Sequence, residues 1–78
     1  MNVNSKQIKW RCRRGVLELD VILHRFYDKK FDALSKDDKH LFATMLEEPD
    51  PILINWLIKR EPSLPKFKKL TEEILGLC

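Results

Sequence analysis

The apolar residues of this chain recur chiefly every three or four positions, and that pattern restricts the fold more than any other feature. Leu19, Ile22, Leu23 and Phe26 form one stripe, Leu41, Phe42, Met45 and Leu46 a second, and Phe67, Leu70, Ile74 and Leu77 a third. On a helix each set faces one direction, whereas a half-buried strand needs strict alternation. No internal repeat or low-complexity tract is present. The expected fold class is all-α.

Punctuation divides the chain into five helices. The first starts at Asn4 or Ser5, either of which can cap it, and runs to about Arg14, with Ile8 and Cys12 as its narrow apolar face. The second runs from about Val16 to Lys29 or Lys30. Its acids Glu18 and Asp20 come early and its cations late, which complements the helix dipole. The third opens at Ser35, where Ser35-Lys36-Asp37-Asp38 resembles a capping box, and stops at Pro49. Asp50 is expected to cap the fourth helix, with Pro51 in its first position and Pro62 ending it after about Arg60. Residues Ile52 to Ile58 are apolar on more than one side, as in a helix that is either central or half-exposed for a partner. The fifth spans about Pro65 to Leu75. The two glycines, Gly15 and Gly76, are expected at helix ends in the left-handed conformation. Short connections predict antiparallel packing of sequential helices. The result is a compact five-helix bundle, a single domain over residues 1–78.

A chain of 78 residues buries a thin core, so a surface that docks on something larger is easier to build than a deep catalytic cavity. Apolar residues at 44% and charged residues at 35% describe a globular chain. No apolar run approaches the roughly 20 residues of a membrane span, so no membrane insertion is expected. The first six residues lack the apolar core of a signal peptide. A cytoplasmic protein, complete or nearly so, is the expectation. Cys12 and Cys78 form no CxxC pair and are expected to be reduced thiols. The net charge of +3 is uneven: residues 1–30 hold eight cations against three acids, a local net of +5. That excess fits an acidic partner, whether nucleic acid or a protein face, and equally a solvated helical surface.

Catalytic and metal chemistry find little to work with. Cys12, His24, His40 and Cys78 are scattered and match no zinc-ligand spacing. Two isolated glycines cannot form a phosphate loop or a dinucleotide-binding turn. Ser35 is explained as a cap and Cys12 as a small core residue. Glu18 and Asp20, two apart on a helix, point in nearly opposite directions and cannot share a proton. No metal and no cofactor is expected, and the chain is read as a non-enzyme. What remains is a mixed-sign cluster, with Arg13, Arg14, Gly15 and Glu18 within six residues. It fits a dipole-matched, salt-bridged helix start, and it also fits a protein-docking surface. Phosphate would be repelled by Glu18. Trp10 lies about 200° from Ile8 and from Cys12 on a helix, so it leaves the apolar face. Trp56 lies on the over-apolar fourth helix. Both are candidates to border the cluster, since tryptophan is enriched at binding hot spots.

Arg14-Gly15-Val16-Leu17-Glu18-Leu19-Asp20 resembles the RGxxE signature of the SdhE family of FAD assembly factors, the succinate dehydrogenase flavinylation factors. Upstream, Trp10-Arg11-Cys12-Arg13 is similar to the family's W-x-C-R-R-G lead-in. Downstream, Phe26, Ala33-Leu34-Ser35 and Leu46 also fit. Asp50-Pro51 with Asn55-Trp56-Leu57 resembles D-P-D-L-x-x-W-L, Ile52 standing where an acid is common. The resemblance covers about residues 8–60; the last helix matches in length and character. It implies a five-helix, chaperone-like accessory protein. Such a protein binds the flavoprotein subunit of succinate dehydrogenase or fumarate reductase and favours covalent attachment of FAD by that subunit's own chemistry. It further implies Arg14, Gly15 and Glu18 as the functional core, with Trp10, Arg13, Asp20 and Trp56 as weaker partner-binding candidates. A helical monomer is expected. Two alternatives stay open: an antitoxin-like partner of a small membrane protein, as family members have also been described, and a basic nucleic-acid-binding domain. Far-UV circular dichroism should be dominated by helix, and a substantial sheet component would overturn the fold class.

Overall fold

Helix α1, Ser5–Arg11, opens the computed structural model, which describes residues 5–77. It is three residues shorter than expected. The chain then tightens: Cys12 N–H donates to Ile8 O at 3.1 Å and to Lys9 O at 3.2 Å, and Arg13 N–H to Trp10 O at 3.1 Å. This turn keeps Cys12 inside with Ile8. Helix α2, Leu17–Lys30, buries Leu19, Ile22, Leu23 and Phe26, the stripe its periodicity predicts. A 3₁₀ turn, Phe31–Ala33, leads to α3, Lys36–Met45. Ser35 caps α3 as expected, its Oγ accepting from Asp38 N–H at 3.1 Å. Helix α4, Asp50–Leu57, is followed by a second 3₁₀ turn, Pro65–Phe67, and by α5, Lys68–Leu75. Five α-helices and no strand are found among the described residues. Asn4 and Cys78 lie outside them.

Three expectations are corrected. Asp50 is not the cap of α4: Pro49 holds the capping position in extended backbone, Asp50 is the first helical residue, and its carboxylate turns towards Arg14. Neither Gly15 nor Gly76 has positive φ, and Gly76 ends α5 at φ −65°, ψ −15°. The left-handed residue is instead Arg60, at φ 59°. Lys59 N–H reaches Ile54 O at 2.9 Å and Glu61 N–H reaches Asn55 O at 2.8 Å. The end of α4 is therefore wound closed through Arg60 before Pro62 is reached. A side chain in that conformation costs about 1–2 kcal/mol, which the closing hydrogen bonds and the seat of Ile58 on the core offset.

Neighbours in sequence are not all neighbours in space. The principal helix packing joins α2, α4 and α5, so α2 meets α4 across the intervening α3. Helix α4 is central: Leu53, Trp56 and Leu57 are buried, and Ile52, Ile54 and Ile58 pack partly against the core. That resolves its excess of apolar surface. Helix α3 enters through Phe42, whose ring lies 5.1 Å from Phe26 and 6.1 Å from Phe31 between centroids. On the other side Trp56 meets Phe67 at 5.6 Å. Tilted aromatic pairs of this kind add about 0.5–1.5 kcal/mol each beyond their buried area.

Cys12 has no exposed surface. Burial pushes its thiol up to about 12, the nearby Arg14 guanidinium opposing the rise only in part. In a Cys78→Ser background Cys12 should therefore resist alkylation at pH 8 until the protein unfolds. Because the folded state holds this proton more tightly than the unfolded chain, stability should fall as pH rises from about 9 towards about 12. Rapid alkylation of the folded protein would contradict this.

Candidate protein-docking site

The segment between α1 and α2 is held by one side chain. Arg14 folds inward, and its guanidinium donates to Leu46 O, to Glu48 O at 3.4 Å and to Asp50 Oδ1 at 3.3 Å. Leu46 caps the C-terminal end of α3 and Asp50 lies in the first turn of α4. The last carbonyls of a helix have no partner within it, and a cation there also meets the negative end of the dipole. One planar fork thus satisfies the end of α3 and pairs with the start of α4. The side chain is only 14% exposed, and its Nε is buried without a partner. Arg14 does not pair with Glu18, so the salt-bridged helix start is absent on this side.

The same fixation presents Gly15 and Glu18 outward. Gly15 is exposed, and a β-carbon built on it would meet only Asp50 Oδ2, at 3.9 Å. With ordinary φ and open space, nothing in the fold requires glycine here. Glu18 is exposed in the first turn of α2 and has no hydrogen bond or ion pair among the described residues. Trp10 is 68% exposed, with the Arg13 guanidinium 5.2 Å from its ring centroid. Arg11 adds a surface pair to Glu47 at 3.9 Å, a contact worth little in water.

The remaining candidates fall elsewhere. Asp20 is half-buried and faces His24, with Oδ1 and Nδ1 2.7 Å apart, while the same ring nitrogen lies 2.9 Å from Asp20 O. Trp56 is 8% exposed and stands on Phe67, inside the core. The structure therefore brings Trp10, Arg13, Gly15 and Glu18 to the surface, sets Arg14 beneath them, and places Trp56 away from them. Two features were missed in the sequence. Asp50 as partner of Arg14 joins residues 36 apart, and no local pattern signals it. Leu17 and Val21, 76% and 45% exposed, were legible: each lies about 200° from Leu19 on the helix, off the buried stripe.

No group of three or more His, Cys, Asp or Glu side chains is gathered as a metal site among the described residues, and no helix there is long and apolar enough to cross a membrane. The small helical bundle thus turns outward a glycine that the fold does not require, a carboxylate unpaired among the described residues and a tryptophan. Residues 6–78 match the protein family described as "Flavinator of succinate dehydrogenase", and the chain belongs to that family. It is 48% identical over 74 residues to the FAD assembly factor SdhE of Coxiella burnetii, covering 94% of this chain and 90% of that protein. It is 44% identical over 72 residues to the FAD assembly factor SdhE of a Serratia species, covering 91% and 82%. The protein of the same name from Wigglesworthia glossinidia brevipalpis is 43% identical over 72 residues, covering 91% and 86%. The resemblance read from residues 8–60 thus extends through the last helix, and the relatives are named for assembly, not for catalysis.

Two stability measurements separate scaffold from surface. Arg14→Ala should lower unfolding stability by about 2–3 kcal/mol, because three acceptors lose a charged donor and Asp50 loses its partner. Gly15→Ala should melt at or slightly above the wild-type temperature, since its β-carbon meets open space and the unfolded chain loses freedom. A wild-type melting temperature for Arg14→Ala, or a collapse for Gly15→Ala, would overturn this division.

Proposed function

We propose that this protein is an FAD assembly factor. It docks on the flavoprotein subunit of succinate dehydrogenase, and of fumarate reductase where present, and promotes covalent attachment of FAD to that subunit. The observation that carries this reading is the exposed pair of Gly15 and Glu18 in a chain of the flavinator family. Glu18 has no side-chain partner among the described residues and Gly15 no conformational requirement, so both are available to a partner. The bare Gly15 backbone lets a second backbone approach closely. Glu18 accepts charge-assisted hydrogen bonds from the partner, which fix orientation. Trp10 and Arg13 border the contact, and Arg14 acts from below by holding the segment in place.

The new covalent bond is made within the flavoprotein. The factor need only bind one arrangement of that subunit better than the others, and the population shifts by no more than that difference in affinity. A docking surface suffices for this, so a thin-cored bundle can do it. Arg11, Arg13 and Arg14 are each engaged within the chain, which supports docking on a protein over a free basic stripe for nucleic acid.

Glu18→Ala tests the proposal. As an exposed substitution it should change stability by no more than about 0.5 kcal/mol. Truncating a desolvated charged contact costs about 2–5 kcal/mol of binding, roughly a thirty- to several-thousand-fold loss of affinity. In a strain lacking the wild-type gene, in-gel flavin fluorescence of the flavoprotein should drop sharply with the variant. Full flavinylation by a folded Glu18→Ala protein would remove Glu18 from the site.

A further inference from the structure

Beside Glu18 lies a groove of about 590 Å³. One wall is α2, where Val21 and Ile22 lie four and five residues after Leu17, and the other is the end of α4 with Leu57 and Ile58. Its charged lining is Glu18, Arg25 and Arg60. Arg25 and Arg60 have no ion pair, hydrogen bond or ring contact among the described residues. Leu17 and Val21 are two of only four large apolar side chains left exposed among the described residues. Arg60 reaches the groove from the left-handed position that closes α4, so the backbone strain of this chain stands at the groove wall.

We infer that this groove is the specificity-determining half of the docking site. It receives an amphipathic segment of the protein client that inserts an apolar side chain between Leu17 and Val21 and sets carboxylates against Arg25 and Arg60. The inference rests on the proposed assembly function and adds which chemistry the client must present. Charge complementarity selects an acidic-apolar segment: the floor is apolar, two unpaired cations line the groove, and the lone acid, Glu18, adjoins Gly15, where a donor from the client's backbone or side chain would meet it. Two exposed aliphatic side chains are hydrated in the free protein, and covering them is favourable. The guanidinium groups match carboxylates in planar, two-pronged geometry and, being more weakly hydrated than an ammonium, cost less to desolvate. Together they supply the register that one glycine and one carboxylate cannot fix alone.

The test uses the full chain and its flavoprotein client, with binding measured by titration at two salt concentrations and flavinylation by in-gel fluorescence. Leu17→Ser with Val21→Ser, and separately Arg25→Glu with Arg60→Glu, change exposed residues only. Each double variant should melt near wild type and bind the client at least about tenfold more weakly. The charge-reversed variant should also lose most of the salt dependence of wild-type binding. If one double variant fails to fold, the other decides alone. Wild-type affinity in the folded variants, alongside loss of binding by Gly15→Arg, overturns the groove and leaves the assembly function standing. Full flavinylation by Gly15→Arg and Glu18→Ala instead overturns the assembly function and the groove with it. Sedimentation showing a dimer that only the groove variants dissolve would make the occupant a second copy of this chain. Capture by vesicles of phosphatidylserine, lost in the charge-reversed variant, would make it a lipid surface. Either result overturns the inference.

Discussion

The Arg14 guanidinium is the point through which three separate parts of this molecule are joined. It comes from the segment between α1 and α2, donates to the carbonyls of Leu46 at the end of α3 and of Glu48 beyond it, and pairs with Asp50 at the start of α4. Helix termini are where a small bundle is weakest, because their backbone groups are unsatisfied. A single side chain that satisfies one terminus and pairs with the beginning of the next helix removes two weaknesses at once. Its geometric consequence is that the next residue, Gly15, stays open to solvent, where an added β-carbon would meet only Asp50 Oδ2, at 3.9 Å. A signature arginine that looks exposed in the sequence is in this fold turned inward, holding the segment that carries Gly15.

The division of labour follows from the size of the chain. A bundle this short has a margin of only about 3–5 kcal/mol, so its apolar residues are committed to the core wherever possible. Phe26, Phe42 and Phe67 are fully buried, and the α2–α4–α5 packing is closed with aromatic contacts on either side of it. Against that background the exposed Trp10, Leu17 and Val21 stand out, since each holds apolar area that the fold leaves in water. They cluster on either side of Gly15 in sequence, at the end of α1 and the start of α2. Exposure there is the expected mark of a surface that is completed by a partner.

Where periodicity spoke, it spoke correctly: the α2 stripe, the Ser35 cap and the outward turn of Trp10 were all legible from spacing of 100° per residue. The expectations that failed concern residues read by type alone. Asp50 has the composition of a cap, yet the cap is Pro49 and the carboxylate serves Arg14. Glycine is the usual left-handed helix terminus, yet neither glycine has a positive φ and an arginine takes that conformation. Trp56 is the type of residue enriched at interfaces, yet it belongs to the core.

Local rules of the chain therefore determined the fold class, the number of helices, most of the core and the family, because helix period, capping and breaking act within a few residues. Only the tertiary structure decided that α2 packs on α4 across α3, that Arg14 closes on Asp50, and that Glu18 is left without a partner beside an apolar groove. Those outcomes depend on which groups meet after the chain has turned back on itself. Arg14 and Glu18 are four residues apart on paper and look like an ion pair; the pairing that forms is with an acid 36 residues away, because the guanidinium gains two helix-end carbonyls there that Glu18 cannot offer.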